Sequence, residues 1–502
     1  MKQIAIIDIG SNSMRLVLVQ INENDCFSII DEVKETVRLG KDMTIYGELN
    51  PLKIEKAIKT LSFFKCLCKA QGVTEIIAVA TEAVRKASNQ LDFINRVKSE
   101  LNIEIRVLPG TSEAYYDYFG NINSMDISNA LLMDIGGSST ELIWVKNRNL
   151  KHSISLPFGA INLTERFSLS KAMDEKTEKD LKKFILSFYK DIPWLREIKS
   201  LPLVGIGGTF RNIAKISRKK NAYPIVNLHN YQIDIDEVME IYNMSKVKDH
   251  IERKKIKGLS KNRADIFLGA VGAVVTLFEF LDLKELYVSG CGIREGLIYE
   301  YILRSNKPLE DVLGFSINNH IFNYEMNLNH AKQVWELTEC LYNNLKSILN
   351  IDDDFYKVLK TAALLHDCGI RISYYNHPAH SFYIILNSKI NGLSHKEQLM
   401  AAYIATLHRK NDFKIDLKKY GKIITGEDIE VIEKLALLVR VCDNLDSGLN
   451  CNVSNVSCVI ESDNVIISVK SKTDPFLELN QALDCAGTFE KISGKKLIIK
   501  SR

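Results

Sequence analysis

The sequence lacks an apolar run of the roughly 18–20 residues that a membrane-spanning helix needs, and it lacks an excess of either charge. A net charge of +4, from 66 basic and 62 acidic side chains, is too small to indicate a nucleic-acid-binding protein. From Met1 the chain passes directly into a strand-like segment, so we expect no signal peptide. These features predict no membrane or nucleic-acid partner and confine any anion-binding surface to a local site.

Paired cysteine spacing is also missing. Among the ten cysteines, Cys66 and Cys68 are separated by one residue and no C-x₂-C pair occurs, which argues against a disulfide framework and a cysteine-based zinc site. A reducing, cytoplasmic location is therefore expected. A composition of 46% hydrophobic and 25% charged residues is typical of a packed globular protein, and 502 residues indicate several domains.

Strand-like runs flanking a turn-forming hexad open the sequence. Residues 4–7 and 16–19 lie on either side of Asp8-Ile9-Gly10-Ser11-Asn12-Ser13, which predicts a β-hairpin. Alternating helix-like and strand-like stretches then predict an α/β domain over residues 1–125. The helix-like stretches are 51–71 and 89–100, and the strand-like runs are 75–80 and 103–108.

This opening pattern returns about 126 positions later. Residues 130–134 lead into Ile135-Gly136-Gly137-Ser138-Ser139-Thr140, and the apolar run 142–145 follows. Two further glycine-rich segments are Gly205–Thr209 and Ser289–Gly292. We therefore predict a duplicated α/β architecture with four phosphate-type loops and a second domain over 126–305.

The sequence changes character near residue 310. Amphipathic helix patterns with most of the ten histidines predict an all-α domain over 310–450. Residues 451–502 alternate β-type runs with one helix near 475–485, which predicts a small α/β tail.

Glycine, serine and threonine in a short loop can direct N–H groups and hydroxyls at phosphate oxygens. Asp8 and Asp134 occupy equivalent strand ends in the two copies, where a carboxylate can hold Mg²⁺. Either loop alone could be an ordinary Asp-Gly hairpin turn, but the two copies together with Gly205–Thr209 favour a phosphate site.

Five motifs occur in register: Asp8–Leu16 (DIGSNSMRL), Ala80–Asn89 (ATEAVRKASN), Asp134–Leu142 (DIGGSSTEL), Gly207–Thr209 (GGT) and Val288–Leu297 (VSGCGIREGL). Over residues 1–305 the chain thereby resembles the exopolyphosphatase/guanosine pentaphosphate phosphohydrolase (Ppx/GppA) family. The resemblance implies duplicated actin/hexokinase-like (ribonuclease H-like) domains with the active site in the cleft between them. It also implies a homodimer.

The resemblance further implies roles for single residues. Arg85 would grip the polyanion through its planar guanidinium, Asp134 and Glu141 would be the main Mg²⁺ ligands, and Asp8 a weaker one. Glu141 could instead be a solvent-facing strand residue. The phosphate-binding residues would be Gly10, Ser11, Asn12, Ser13, Arg15, Gly136, Gly137, Ser138, Ser139, Gly207, Gly208 and Thr209.

Glu113 is the candidate general base, since it matches the family's Gly-x-x-Glu-Ala segment at Gly110–Ala114. Without the resemblance it could equally be a first-turn helix carboxylate favoured by the macrodipole. Two positions depart from the family pattern. Ser112 stands where a second acid is frequent, and Ser138 where a third glycine is usual.

His330, His366-Asp367 and Asp443 reproduce the order of metal ligands in HD-superfamily phosphohydrolases and suit Mn²⁺, Fe²⁺ or Zn²⁺. Adjacent histidine and aspartate can line one cavity only near a helix end, and Gly369 favours such an end. The second metal position could use His377, His380 and His408. Alternatively, all of these are satisfied polar residues in a helical core.

We therefore predict an exopolyphosphatase that releases orthophosphate from inorganic polyphosphate by Mg²⁺-assisted attack of water. One alternative is removal of the 5′ γ-phosphate of guanosine pentaphosphate, with a purine pocket near Ser289–Gly292. Another is a nucleotide or polyphosphate sensor with an HD phosphohydrolase output. A sugar or acetate kinase is disfavoured because Glu113 and Arg85 match the hydrolase pattern.

Overall fold

The structure, a computed structural model, describes residues 1–41, 43–409 and 414–502. It divides into two compact units, one of residues 1–223 and 228–310 and the other of residues 224–227 and 311–502. Among the helices in the described ranges, none combines the length and the apolar character needed to cross a bilayer.

The first unit contains two mixed sheets with helices packed against them. The first half of this unit comprises β1 (Lys2–Ile9), β2 (Met14–Ile21), β3 (Phe27–Glu35), α1 (Met43–Tyr46), α2 (Pro51–Ala70), β4 (Glu75–Ala80), α3 (Glu82–Lys86), α4 (Gln90–Leu101), β5 (Ile105–Val107) and α5 (Gly110–Ile122). The second half comprises β6 (Ala130–Ile135), β7 (Thr140–Lys146), β8 (Asn149–Leu156), α6 (Ala160–Arg166), α7 (Glu175–Lys190), β9 (Leu203–Ile206), α8 (Gly207–Lys220), β10 (Tyr231–Asp234), α9 (Ile235–Lys246), α10 (His250–Arg253), α11 (Phe267–Leu281), β11 (Glu285–Val288) and α12 (Ile293–Leu303).

The two sheets repeat one topology. The first has the strand order β3-β2-β1-β4-β5, and the second has β8-β7-β6-β9-β11 with β10 added antiparallel at its edge. In each sheet a hairpin, β1–β2 or β6–β7, is followed by a parallel strand, β4 or β9. The central strands β1 and β6 are almost continuously apolar because helices cover both faces. The predicted duplicated actin/hexokinase-like fold is confirmed.

The second unit is helical with a small sheet. Its elements are α13 (Val312–Asn323), α14 (Leu328–Leu349), α15 (Tyr356–Leu365), α16 (His377–Asn387), α17 (His395–Leu407), α18 (Leu417–Tyr420), α19 (Gly426–Asn444), β12 (Val453–Ile460), β13 (Asn464–Ser471), α20 (Phe476–Leu483), α21 (Ala486–Ser493) and β14 (Lys496–Ser501). The strands form one sheet in the order β12-β13-β14, which packs within the same unit as the helices. The four predicted domain ranges stay a prediction.

Helices α5 and α12 cross so closely that their backbones touch. A Cβ atom placed on Gly296 would lie 2.1 Å from the Tyr116 carbonyl oxygen, and one on Gly120 would lie 2.6 Å from the Gly292 carbonyl oxygen. No side chain fits at such distances without moving the backbone. This crossing fixes α5, which carries Glu113, against the helix that follows β11.

We expect Gly296→Ala to lower the free energy of unfolding of the first unit by roughly 1–3 kcal/mol, because overpacking forces the two backbones apart. Thermal unfolding measures the effect. The control is Gly487→Ala in α21, where an added Cβ meets no atom within 4 Å. A Gly296→Ala variant as stable as this control would contradict the close crossing.

Candidate active site

The two hairpin loops have the same local structure. In the first, the Gly10 amide donates to the Ser13 carbonyl at 3.2 Å, and in the second the Gly136 amide donates to the Ser139 carbonyl at 3.0 Å. Both loops are short because each joins two adjacent antiparallel strands. Each places its strand-end aspartate, Asp8 or Asp134, at the start of the turn.

These loops face each other. A Cβ atom placed on Gly137 would lie 2.8 Å from the Ser11 Cβ and 3.6 Å from the Asn12 amide nitrogen. A Cβ on Gly40, whose amide donates to the Ser11 carbonyl at 2.8 Å, would lie 3.0 Å from the Ser138 hydroxyl. The two copies of the motif therefore meet at one groove rather than on separate surfaces.

A cavity of about 140 Å³ lies at this meeting point. It is lined by most of the residues singled out from the sequence, which come from both halves of the unit. These are Asp8, Gly10, Ser11, Asn12, Ser13, Arg15, Glu113, Asp134, Gly136, Gly137, Ser139, Glu141, Gly207 and Gly208. Gly290, Cys291 and Gly292, near the predicted purine pocket, line it too.

Three predicted phosphate-binding residues are not part of this lining. Ser138 turns its carbonyl to the Asn162 amide, which donates at 3.0 Å. Thr209 is buried in the first turn of α8. Arg85 donates to the carboxylates of Glu113 and Glu82 and to the Leu108 carbonyl. In this structure Arg85 therefore contacts Glu113, the candidate base. Direct binding of a polyanion by Arg85 stays a prediction.

Five carboxylates gather at the floor of the groove. Burial, together with neighbouring acids, raises the pKa of Asp134 to about 6 and that of Glu113 to about 7. The pKa values of Glu141 and Asp117 are raised well above the usual range for the same reasons. Burial also raises the pKa of Asp8. Burial and mutual repulsion thus disfavour the charged form of all five carboxyls.

Asp117 is a member that the sequence did not reveal. It is fully buried in α5, four residues after Glu113, and neither carboxylate oxygen has a hydrogen-bond partner among the described residues. Glu141 is also buried, and it accepts hydrogen bonds from the Ser155 hydroxyl, at 2.8 Å, and from the Ser139 side chain. Buried oxygens that lack donors suit a hard divalent cation such as Mg²⁺, which takes oxygen ligands. The donor set therefore fits the expected metal.

Cationic side chains complete the lining. Arg211, Arg263 and Arg294 join Arg15 around the cavity, and none of these three was singled out from the sequence. Arg15 and Arg294 share Glu32, at 3.0 and 2.7 Å. Burial and neighbouring cations lower the pKa values of Arg211 and Arg263 to about 10. Arg294 lies in the motif Val288–Leu297, and Arg211 lies two residues after Thr209, so both adjoin recognised segments.

The second unit contains a separate buried cluster at helix ends. His330 lies in the first turn of α14, where the Asn327 side chain caps its amide, and His366 follows the last residue of α15. His330 Nε2 is 3.2 Å from His366 Nε2 and 3.3 Å from Asp443 Oδ1. The predicted helix end beside Asp367 is thus present.

Asp367 joins this group to two more histidines. Its Oδ2 is 3.6 Å from His366 Nε2, while its Oδ1 is 3.2 Å from His377 Nε2 and 3.5 Å from His408 Nε2. Neither His377 nor His380 belongs to the two candidate metal-binding groups found among the described residues, but His377 contacts Asp367. Asp446, which the sequence did not single out, is 2.8 Å from His330 Nδ1.

The fold and the first site define an actin/hexokinase-like phosphate-cleaving enzyme. The family model described as "Ppx/GppA phosphatase family" matches residues 17–305, and "Ppx/GppA phosphatase, domain III" matches residues 314–485. The chain belongs to the Ppx/GppA phosphatase family and is a hydrolase of phosphoanhydride bonds, which confirms the predicted enzyme class. The match assigns the C-terminal helices to domain III of this family, and the HD-type assignment stays a proposal.

This chain is similar both to proteins named guanosine-5′-triphosphate,3′-diphosphate pyrophosphatase and to a protein named exopolyphosphatase. A guanosine-5′-triphosphate,3′-diphosphate pyrophosphatase of Aeromonas hydrophila is 25% identical over 463 residues, which are 88% of each chain. The crystal structure of the Aquifex aeolicus family member is 30% identical, with a TM-score of 0.53 over 61% of this chain and 99% of that one. An exopolyphosphatase structure from Cytophaga hutchinsonii is 25% identical, with a TM-score of 0.57 over 60% and 98%.

The contact between Arg85 and Glu113 predicts a pH effect. With a pKa of about 7, Glu113 is ionised above neutral pH, so a reaction that uses it as a base should lose kcat/KM as the pH falls through 7. Arg85→Met removes the cation that favours the ionised form. We expect the acidic limb to move upward by roughly one pH unit, measured by phosphate release.

The control is Arg96→Met, which breaks exposed ion pairs with Glu55 and Glu100 on α2 and α4. It should leave the pH profile unchanged. If the acidic limb of the pH profile is the same in Arg85→Met as in the wild type, Glu113 is not the group whose ionisation controls the rate.

Proposed function

We propose that the first unit is an exopolyphosphatase that releases orthophosphate from the end of inorganic polyphosphate. The observation that carries this proposal is the approach of the Asp8 and Asp134 loops to each other, with the Glu113 side chain on the lining of the same cavity. A single phosphoryl group between the loops would contact both. The small cavity suits a terminal group better than the middle of a chain.

Donors that the protein leaves unused would bind the phosphoryl oxygens. The Asn12 side chain is buried on the cavity lining, and within the part of the chain that the structure describes neither its Nδ2 nor its Oδ1 atom has a hydrogen-bond partner. Together with loop N–H groups and the nearby arginines, it would stabilise the charge that develops in phosphoryl transfer. Gly207 and Gly208 begin α8, so the helix N-terminus also favours an anion.

Asp134 and Glu141 would hold Mg²⁺, with Asp8 and Asp117 nearby. When bound, the ion would polarise the phosphoryl oxygens and offset their charge. Glu113 would accept a proton from water as the water oxygen attacks the terminal phosphorus. The phosphoanhydride bond then breaks, and the shortened chain leaves with the bridging oxygen. Arg85 would act on Glu113 by favouring its ionised form.

Guanosine pentaphosphate is the second candidate substrate. Relatives such as the Aeromonas hydrophila protein have a name that refers to this compound. The same chemistry would remove its 5′ γ-phosphate. Gly290–Gly292 on the cavity lining lie where a base could approach.

For the second unit we propose a divalent-metal centre of the HD type with two positions that share Asp367. The Nδ1 atoms of His366, His377 and His408 each lie within hydrogen-bond distance of a backbone carbonyl oxygen. In each ring Nδ1 therefore carries the proton, and Nε2 keeps a free lone pair. Their Nε2 atoms all lie within 3.6 Å of an Asp367 oxygen. Lone pairs facing carboxylates in a buried site favour a cation such as Mn²⁺, Fe²⁺ or Zn²⁺.

This centre supports an alternative function as a sensor. The first unit would bind a polyphosphate or nucleotide, and the second unit would act as an HD phosphohydrolase in response. A cavity of about 370 Å³ reaches His330, His366 and Asp367, and Arg371 also lines it. A phosphate ester could therefore reach the metal positions. Homodimer formation stays part of the proposal, based on the resemblance.

The substrate proposal is tested by phosphate release from polyphosphate, guanosine pentaphosphate and ATP, with and without Mg²⁺. We expect the wild type to prefer polyphosphate and Glu113→Gln to lose at least about 100-fold in kcat, the usual lower range for a general base. Glu104→Gln, at an exposed ion pair with Lys98, is the control. Equal turnover by the wild type and Glu113→Gln would remove this residue from its proposed role.

The metal proposal is tested by counting bound Mn²⁺ per chain after chelation and reconstitution. His377→Ala should lose bound metal because a ligand is missing, whereas His380→Ala, from the same helix, should keep the wild-type amount. Equal metal content in these two variants would contradict the proposed ligand set. Phosphate release that disappears in His366→Ala/Asp367→Ala but survives Glu113→Gln would move the chemistry to the second unit.

A further inference from the structure

Cationic side chains continue beyond the cavity along one face of α8. Arg211 lines the cavity and donates from Nε to the Gly207 carbonyl at 3.1 Å. Lys215 and Arg218 follow at spacings of four and three residues, which place all three on one helix face. At 1.5 Å per residue, Arg218 lies about 10 Å along the helix axis from Arg211.

Lys34 adds a cation from the other sheet. It lies on β3 directly opposite Arg15 of β2, so both side chains project from the same face of the sheet. Like charges at directly opposite positions destabilise a sheet. Burial and the nearby Arg15, Arg263, Arg211 and Lys215 lower the pKa of Lys34 to about 8. We call Lys34, Arg211, Lys215 and Arg218 the cationic row.

Three members of the cationic row have no ion-pair partner among the described residues. Within the ranges that the structure describes, no carboxylate forms an ion pair with Lys34, Lys215 or Arg218. By contrast, Lys220 at the end of α8 pairs with Glu240. Burial and Arg211, Arg218, Arg263 and Arg15 lower the pKa of Lys215, which shows that the positive charges repel one another. An anion with several charges would relieve this repulsion.

We propose that the cationic row binds the second and later phosphates of a linear polyphosphate while the terminal phosphate occupies the cavity. The proposal rests on the exopolyphosphatase function proposed above and adds a basis for chain-length preference. Long chains contact the whole row, whereas tripolyphosphate ends near Arg211. A guanosine nucleotide would place an uncharged base and ribose between its two phosphate groups and would match a continuous row less well.

The test compares Lys34→Gln/Lys215→Gln with the wild type on long-chain polyphosphate and on tripolyphosphate. We expect KM for the long chain to rise roughly tenfold at low salt, since two charge contacts are lost. The kcat values, and KM for tripolyphosphate, should stay unchanged. Added salt should shrink the difference because it screens the row.

Lys146→Gln/Lys199→Gln is the control, since it removes the same charge at two exposed positions outside the row. It should leave KM for both substrates unchanged. Equal effects of Lys34→Gln/Lys215→Gln on long and short chains, or a KM increase confined to guanosine pentaphosphate, would overturn the row. A wild type that releases no orthophosphate from polyphosphate refutes the exopolyphosphatase function itself. If the wild type releases orthophosphate and Lys34→Gln/Lys215→Gln has the same KM values, only the proposed role of the cationic row is refuted.

Discussion

Charge buried at two strand ends is the constraint on which the first unit depends. Asp8 and Asp134 end the central strands of the two sheets, and the remaining carboxylates of the groove come from α5 and β7. Bringing like charges together in a poorly solvated site costs stability and raises their pKa values. The arginines around the cavity offset part of this cost. A bound divalent metal ion would offset the remaining repulsion between the carboxylates, and a bound phosphate would neutralise charge on the arginines.

The rest of the unit holds this arrangement in place. Helix α11 is buried over Phe267–Phe278, and it packs on the second sheet's helices as a rigid support. The glycines of α5 and α12 permit a backbone contact that fixes Glu113 and Asp117 relative to the loops. A site whose charges repel one another needs such rigid supports, and proteins commonly accept lower stability at functional positions.

Local signals explain why part of this site could be predicted. The hairpin loops could be predicted from the sequence because strand, turn and strand lie within about fifteen residues, and the second copy repeats the pattern. Asp117, Arg211 and Arg263 could not be found this way. None of them is part of a recognised motif. The packing of α8 and of the segment before α11 brings Arg211 and Arg263 to the cavity, and the packing of α5 brings Asp117 beside the other carboxylates.

The same limit applies to the second unit. The order of His330, His366-Asp367 and Asp443 was readable, but the partner of His330 at Asp446 depends on how the C-terminal end of α19 packs against α14. His380 was suggested as a ligand from its place in the sequence, and it belongs to neither candidate metal-binding group among the described residues, so its role stays a prediction. Sequence spacing identifies residues able to bind a metal, whereas helix rotation decides which of them do.

The environment of Glu113, the proposed base, shows how a structure can set the pKa of a carboxyl group. Burial alone would keep this carboxyl protonated at neutral pH, and an exclusive ion pair with Arg85 would make it too weak a base to take a proton from water. Arg85 is instead shared with Glu82, which also contacts Lys86, so only part of its charge acts on Glu113. The resulting pKa near 7 lies where a general base works best at neutral pH. In the proposed mechanism Arg85 would therefore act on Glu113 through its division between two carboxylates, and its direct contact with the phosphate stays a prediction.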